Sequence, residues 1–217
     1  MLYLVAALAI TAISAPSRSS GLPHKTLIVQ LVHRVGANPH RVSNGILALM
    51  RKETERIWVP LDVRIEWVDS GGGLLAHPAG LTVFLEEGDD PAPAGRALVL
   101  ATLNPPDVSC GWGLAHVWVR RVEHYAAQVR RGDHATLPAA MAEILLGRAL
   151  GRALAHEIGH FLLDTREHST HGLMRAEFTP LDLLEEATRP LYRLDPAAQA
   201  GLVSCRTEEA AESDDRQ

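Results

Sequence analysis

Between Lys25 and Val122 the apolar positions change period several times, and each change marks an element. Lys25–His33, K-T-L-I-V-Q-L-V-H, is a β-branched run that reads as a buried strand. From His40 to Ile57, Val42, Ile46, Leu47, Met50 and Ile57 recur at helical spacing, with Asn38 ahead of Pro39 as a candidate cap. Pro60 ends that helix. Leu61–Val68 then alternates, with Val63, Ile65 and Trp67 on one face, which is strand behaviour. Leu81–Leu85, Ala97–Leu103 and Gly113–Val122 give a third, fourth and fifth strand. Gly71-Gly72-Gly73, the acidic and proline-rich Glu86–Gly95, and Asn104-Pro105-Pro106-Asp107 separate them as loops. Glu123–Arg131 reads either as a helix or as a loop.

A long helix comes next, with Thr136 as candidate cap and Pro138 in the first turn, where a missing N–H costs little. It runs to about Leu163. Gly147, Gly151, Ala155 and Gly159 repeat along it every four residues. Each glycine costs about 1 kcal/mol of helix propensity against alanine. Such a stripe reads as a groove for close packing on the sheet or on the first helix, or else as drift in composition. Pro180 and Pro190 bracket a further helical segment, and Asp195 can cap a last helix from Pro196 to Val203. No internal repeat is present.

The 217 residues suffice for one domain with a sizeable core, and 47% apolar content is ordinary for a globular chain. A net charge of −5 gives no reason to expect a nucleic-acid partner. Met1–Ser14 is an apolar run of signal-peptide length, with Ala12 and Ser14 as small residues before a cut at Ala15, though it lacks a positive start. It falls short of the roughly 20 residues of a membrane span. The expectation is export, to a secreted or periplasmic location, with no stable membrane span after removal; an anchor or a buried N-terminal strand are the alternatives. Residues 15–23 form a Ser/Pro/Gly linker, 24–206 the folded domain, and 207–217 a disordered acidic tail. Cys110 and Cys205 are the only cysteines: an exported chain would join them, and two isolated thiols are the equal alternative.

The chemistry concentrates in His156-Glu157-Ile158-Gly159-His160, a match to H-E-x-x-H. Positions four apart share a helix face, so His156 and His160 can bind one Zn²⁺ at about 2.0–2.1 Å each. Glu157 can reach the outer sphere and take a proton from a zinc-bound water. Catalytic zinc usually has three protein ligands and an open position. Asp164-Thr165-Arg166-Glu167 breaks the apolar run, so His168 arrives from a loop as candidate third ligand, with Gly172-Leu173-Met174 able to turn tightly under the metal. His171 is the nearest rival. Glu177, Glu185 and Glu186 are carboxylate rivals, as in the His₂Glu sites of thermolysin-like enzymes. His24, His33, His40, His77, His116, His124 and His134 show no ligand spacing and read as structural or solvated.

Over about twenty residues, Ala155 to Arg175, the chain resembles the metzincin zinc endopeptidases, whose pattern is H-E-x-x-H-x-x-G-x-x-H followed by a methionine-containing turn. His156, Glu157, His160, His168 and Met174 match it. Leu163 stands at the glycine position, and seven residues rather than five separate His160 from His168. Some metzincins carry a tyrosine two residues after the methionine; here that residue is Ala176, and Tyr192 could serve only if the fold returns it. No cysteine-switch segment precedes the site.

The resemblance implies an α+β single domain: a twisted, mostly parallel five-stranded sheet, an active-site helix and a smaller C-terminal helical part. It implies zinc-dependent peptide-bond hydrolysis, with Glu157 as general base, His156, His160 and His168 as metal ligands, and a peptide or protein substrate paired along an edge strand. Ala97–Leu103 is the candidate edge and Gly113–Val122 the second choice. A thermolysin-like hydrolase and a non-catalytic, metzincin-shaped binding domain are the competing readings.

Overall fold

In the computed structural model, residues 25–34, 42–69, 80–87, 101–104, 112–128 and 138–204 are described. The expected signal peptide, linker, acidic tail, Thr136 cap and Cys110–Cys205 pair all lie outside these residues. Among the described residues no helix is long and apolar enough to cross a membrane.

Five strands, β1 (Lys25–Arg34), β2 (Val63–Asp69), β3 (Gly80–Glu86), β4 (Ala101–Asn104) and β5 (Trp112–Trp118), form one sheet in the order β2-β1-β3-β5-β4. The pairs β1–β2, β1–β3 and β3–β5 are parallel, and β4 runs antiparallel to β5. The fold is therefore α+β with a mostly parallel five-stranded sheet, as expected. The register places Leu27 beside Ile65, Leu31 beside Val83 and Leu85 beside Val117. All six are buried on one face. β3 is central and buried on both faces, which is why Leu81–Leu85 reads as an unbroken apolar run rather than an alternating one.

Against the sheet lie α1 (Asn44–Trp58) and α3 (Ala139–Leu163), with α2 (Val119–Ala126), α4 (Pro180–Leu184) and α5 (Pro196–Ser204) around them. α1 begins later than its apolar period suggests. Ser43, not Asn38, is its cap and accepts from the Ile46 N–H at 3.2 Å. Val42 joins the core from just outside the helix. Pro60 sits in a short 3-10 turn, Val59–Leu61, that ends α1.

The expected fifth strand, Gly113–Val122, is too long. β5 stops at Trp118 and the chain turns into α2, because Val119, Val122 and Ala126 are buried at helical spacing while their neighbours are polar. β5 is also paired on both sides, so it cannot be the open edge. That role falls to β4, the last of the described strands on that side, which overlaps the expected Ala97–Leu103; residues 97–100 lie outside the described part.

Gly147 and Gly151 of the small-residue stripe pack on α1, not on the sheet. A Cβ on Gly147 would lie 2.5 Å from Leu49 Cβ, and one on Gly151 would lie 2.6 Å from the Met50 carbonyl oxygen. Thr54 fixes the contact, its hydroxyl donating to Met50 O at 2.9 Å and placed 3.1 Å from Gly151 O. Arg152, wholly buried, crosses to Glu53 on α1 at 2.8 Å.

Candidate metal centre

The last turns of α3 carry His156, Glu157 and His160, and the path of the chain beyond Leu163 decides whether a third donor reaches them. α3 ends on Asp164 in the left-handed region (φ 45°, ψ 47°), its N–H turned back to the carbonyls of His160 and Phe161. Aspartate tolerates this conformation better than most residues. The turn thus falls one residue beyond Leu163, which stays helical, so no glycine is required at that position. The longer loop is tied down at its far end, where Ser169 N–H donates to Met174 O at 2.8 Å. Gly172 (φ 78°) makes the tight turn; a Cβ there would lie 2.4 Å from Arg193 O. Leu173 N–H donates to that same oxygen at 2.9 Å.

This folds His168 back over the helix. The three Nε2 atoms form a near-equilateral triangle: His156–His160 3.0 Å, His160–His168 3.2 Å and His156–His168 3.3 Å. Bonds of about 2.0–2.1 Å at the tetrahedral angle would put nitrogen donors roughly 3.3–3.4 Å apart. The triangle is therefore close to one face of a zinc tetrahedron. The far nitrogens of two rings are engaged: His156 Nδ1 donates to Leu173 O and His160 Nδ1 to Thr165 O, each at 2.8 Å. That assigns the proton to Nδ1 and leaves the Nε2 lone pairs facing one another. Lone pairs at this separation repel unless a cation or a proton lies between them, so the donor set fits a metal ion.

Electrostatics support the same assignment. Burial pulls the His156 pKa down to about 4, against the Leu173 hydrogen bond that raises it and with help from His160 and His168. Burial likewise lowers that of His160. Both rings are neutral at neutral pH, the form that can ligate. Glu157, 5% exposed, has its carboxyl pushed up to about 8 by burial. A dication close by would pull it down again.

Among the described residues, these three histidines are the group of His, Cys, Asp and Glu side chains able to share one ion. The rivals are elsewhere engaged or exposed. His171 is exposed, its Nδ1 3.0 Å from the Thr170 hydroxyl. Glu186 is held by Arg189 at 2.6 Å, Arg56 at 3.3 Å and Arg148 at 3.7 Å. Glu177 and Glu185 are exposed and stand outside the group. Tyr192 is buried, stacked on Phe178, its hydroxyl donating to Asp182 O at 2.9 Å.

Met174 lies directly beneath the helix. A Cβ on Gly159 would come 2.3 Å from its sulfur, so the glycine is what lets the turn approach. Several participants have no sequence signal. Leu173 and Thr165 act through backbone carbonyls, which any residue supplies. Phe178, edge-on to His156 at 5.7 Å, lies beyond the motif.

No protein-family model matches the chain, and no curated protein matches its sequence. Among solved structures it is similar to archaemetzincin from Methanopyrus kandleri, at 14% identity and a TM-score of 0.46, over 83% of this chain and 95% of that one.

Proposed function

We propose that this chain is a zinc-dependent peptidase in which His156, His160 and His168 hold the metal and Glu157 is the general base. The observation that carries this reading is the Nε2 triangle, with its 3.0–3.3 Å sides and two outward Nδ1–H groups bonded to carbonyls. Zinc bound there would supply a Lewis acid and lower the pKa of water toward about 7.

The chain's own residues do the rest. The carbonyls of Leu173 and Thr165 fix the imidazole tautomers, so both rings present lone pairs inward. The Glu157 carboxylate takes a proton from the attacking water and returns it to the leaving amine. The substrate is a peptide or protein segment laid antiparallel or parallel to β4, whose outer side is unpaired among the described strands. α3 packs against both β4 and β5, which brings that edge to the histidine-bearing helix. The carboxylate-ligand reading is less well supported, because Glu186 is committed to three arginines and neither Glu177 nor Glu185 joins the group.

The test is zinc content together with hydrolysis of a mixed peptide library by the intact protein and by Glu157→Gln. The variant should keep its fold and its zinc and lose about 10²–10⁴-fold or more in rate. A parent that holds zinc yet cleaves nothing would favour a binding domain. Equal cleavage by both proteins would mean another base.

A further inference from the structure

Phe178 stands four residues after Met174, outside every motif, and is more tightly constrained than a half-buried side chain needs to be. Its ring lies parallel to that of Tyr192, centroids 5.2 Å apart at 3°, and the Arg175 guanidinium sits 4.3 Å from its centroid. Its carbonyl accepts the Tyr125 hydroxyl from α2 at 2.6 Å. Tyr192 is itself anchored, by its bond to Asp182 O and by Arg152 at 4.8 Å from its ring. The Phe178 ring then meets His156 edge-to-face, centroids 5.7 Å apart at 86°.

An imidazole on Cβ has a broad, roughly two-fold torsion about its ring bond, so one hydrogen bond from Nδ1 leaves a flipped ring accessible. The flip would turn Nε2 away from His160 and His168. We propose that Phe178 is the positioning residue for His156: held by Tyr192, Arg175 and Tyr125, it fixes the imidazole orientation that aims Nε2 at the shared point while Nδ1 donates to Leu173 O. This inference rests on the three histidines being a metal site. It adds that α2 and the segment after Met174 are part of what preorganises that site, with Phe178 transmitting their rigidity to a ligand it touches only through its π-face or edge.

The experiment has one metal-free and one metal-bound readout on the full chain. Nitrogen-15 spectra of the metal-free protein report the His156 tautomer and ring exchange in the parent, Phe178→Leu, Phe178→Tyr and Tyr125→Phe. Competition with a chromophoric chelator gives zinc affinity for the same four. The parent should show a single Nδ1–H tautomer. Phe178→Leu should show an exchanging ring and about 10–100-fold weaker zinc binding, the range for residues that orient a ligand. Phe178→Tyr, which keeps the ring, should restore both, and Tyr125→Phe should fall between. Urea midpoints of the metal-free variants separate orientation from simple loss of packing. Phe178→Leu with parental tautomer and parental zinc affinity overturns the inference alone. A parent that binds no zinc while its His156 tautomer still depends on Phe178 overturns the metal reading and leaves the positioning contact standing.

Discussion

Substituting Gly159 by alanine gives opposite signs in two backgrounds if Met174 lies directly beneath the helix. An alanine Cβ would stand 2.3 Å from Met174 Sδ and 3.2 Å from its Cε, with Trp58 3.8 Å away. Met174 must therefore move by about an ångström to reach ordinary contact, and it is 4% exposed, with little room to do so. Overpacking of this kind costs about 1–3 kcal/mol, while the gain in helix propensity over glycine is about 1 kcal/mol. The net is a loss of up to about 2 kcal/mol in the parent. In Met174→Ala the sulfur is gone; the same change then fills space and gains about 1 kcal/mol. The resulting coupling energy is about 1–3 kcal/mol, at the upper end for residues in contact. Urea unfolding of the parent, both single variants and the double variant measures it. Zinc affinity should fall in Gly159→Ala, because Met174 is the neighbour of Leu173, whose carbonyl holds His156. The same sign and size in both backgrounds would refute the close approach.

Two further predictions concern the frame that holds the site. Arg152→Met leaves Glu53, 4% exposed, with Arg56, at 3.9 Å, as its remaining partner, and should cost about 3–5 kcal/mol in urea unfolding, whereas adding Glu53→Met should recover part of it, the Arg152 bonds to Asp182 O and Thr188 being lost in both; a single-variant loss under about 1 kcal/mol would show that the pair is not a buried one. Burial alone would raise the Asp182 carboxyl, but the Thr179 N–H and hydroxyl and Arg175 outweigh it and hold it below the usual carboxylate value. Its contribution is therefore present above the unfolded value near 4 and is lost as pH falls through the lower folded value; urea midpoints of Asp182→Asn should decline less on acidification than those of the parent, and parallel declines would contradict this.

The sheet was legible because β-branched runs and alternation are local features of the chain, and the core face comes from the register they set. The long helix was legible for the same reason, and His168 was reachable from the polar break after Leu163. What could not be read were choices made in three dimensions. Val119-Arg120-Arg121-Val122 follows the β5 run without a break, and the burial of Val119, Val122 and Ala126 on one helical face turns it into α2. The loop after α3 is longer than the metzincin pattern, and its turn rests on Asp164 rather than a glycine, a choice that depends on the carbonyls left open at the helix end. Carbonyls of Leu173 and Thr165 that orient imidazoles have no residue signature at all. The stripe of small residues announced a close approach but not its partner, which is α1 for Gly147 and Gly151 and Met174 for Gly159.

The central claim is that His168 completes the metal site, and equilibrium dialysis against a zinc chelator tests it most directly. The parent, His168→Ala, His171→Ala, Glu177→Ala, Glu185→Ala and Glu186→Ala are compared at one pH. Removing one of three nitrogen donors should cut zinc affinity well beyond the 10–100-fold expected of a residue that only orients a ligand. His171→Ala and the three glutamate variants should bind zinc as the parent does. If His168→Ala keeps its zinc and a glutamate variant loses it, the site is a His₂Glu centre and His168 is not a ligand.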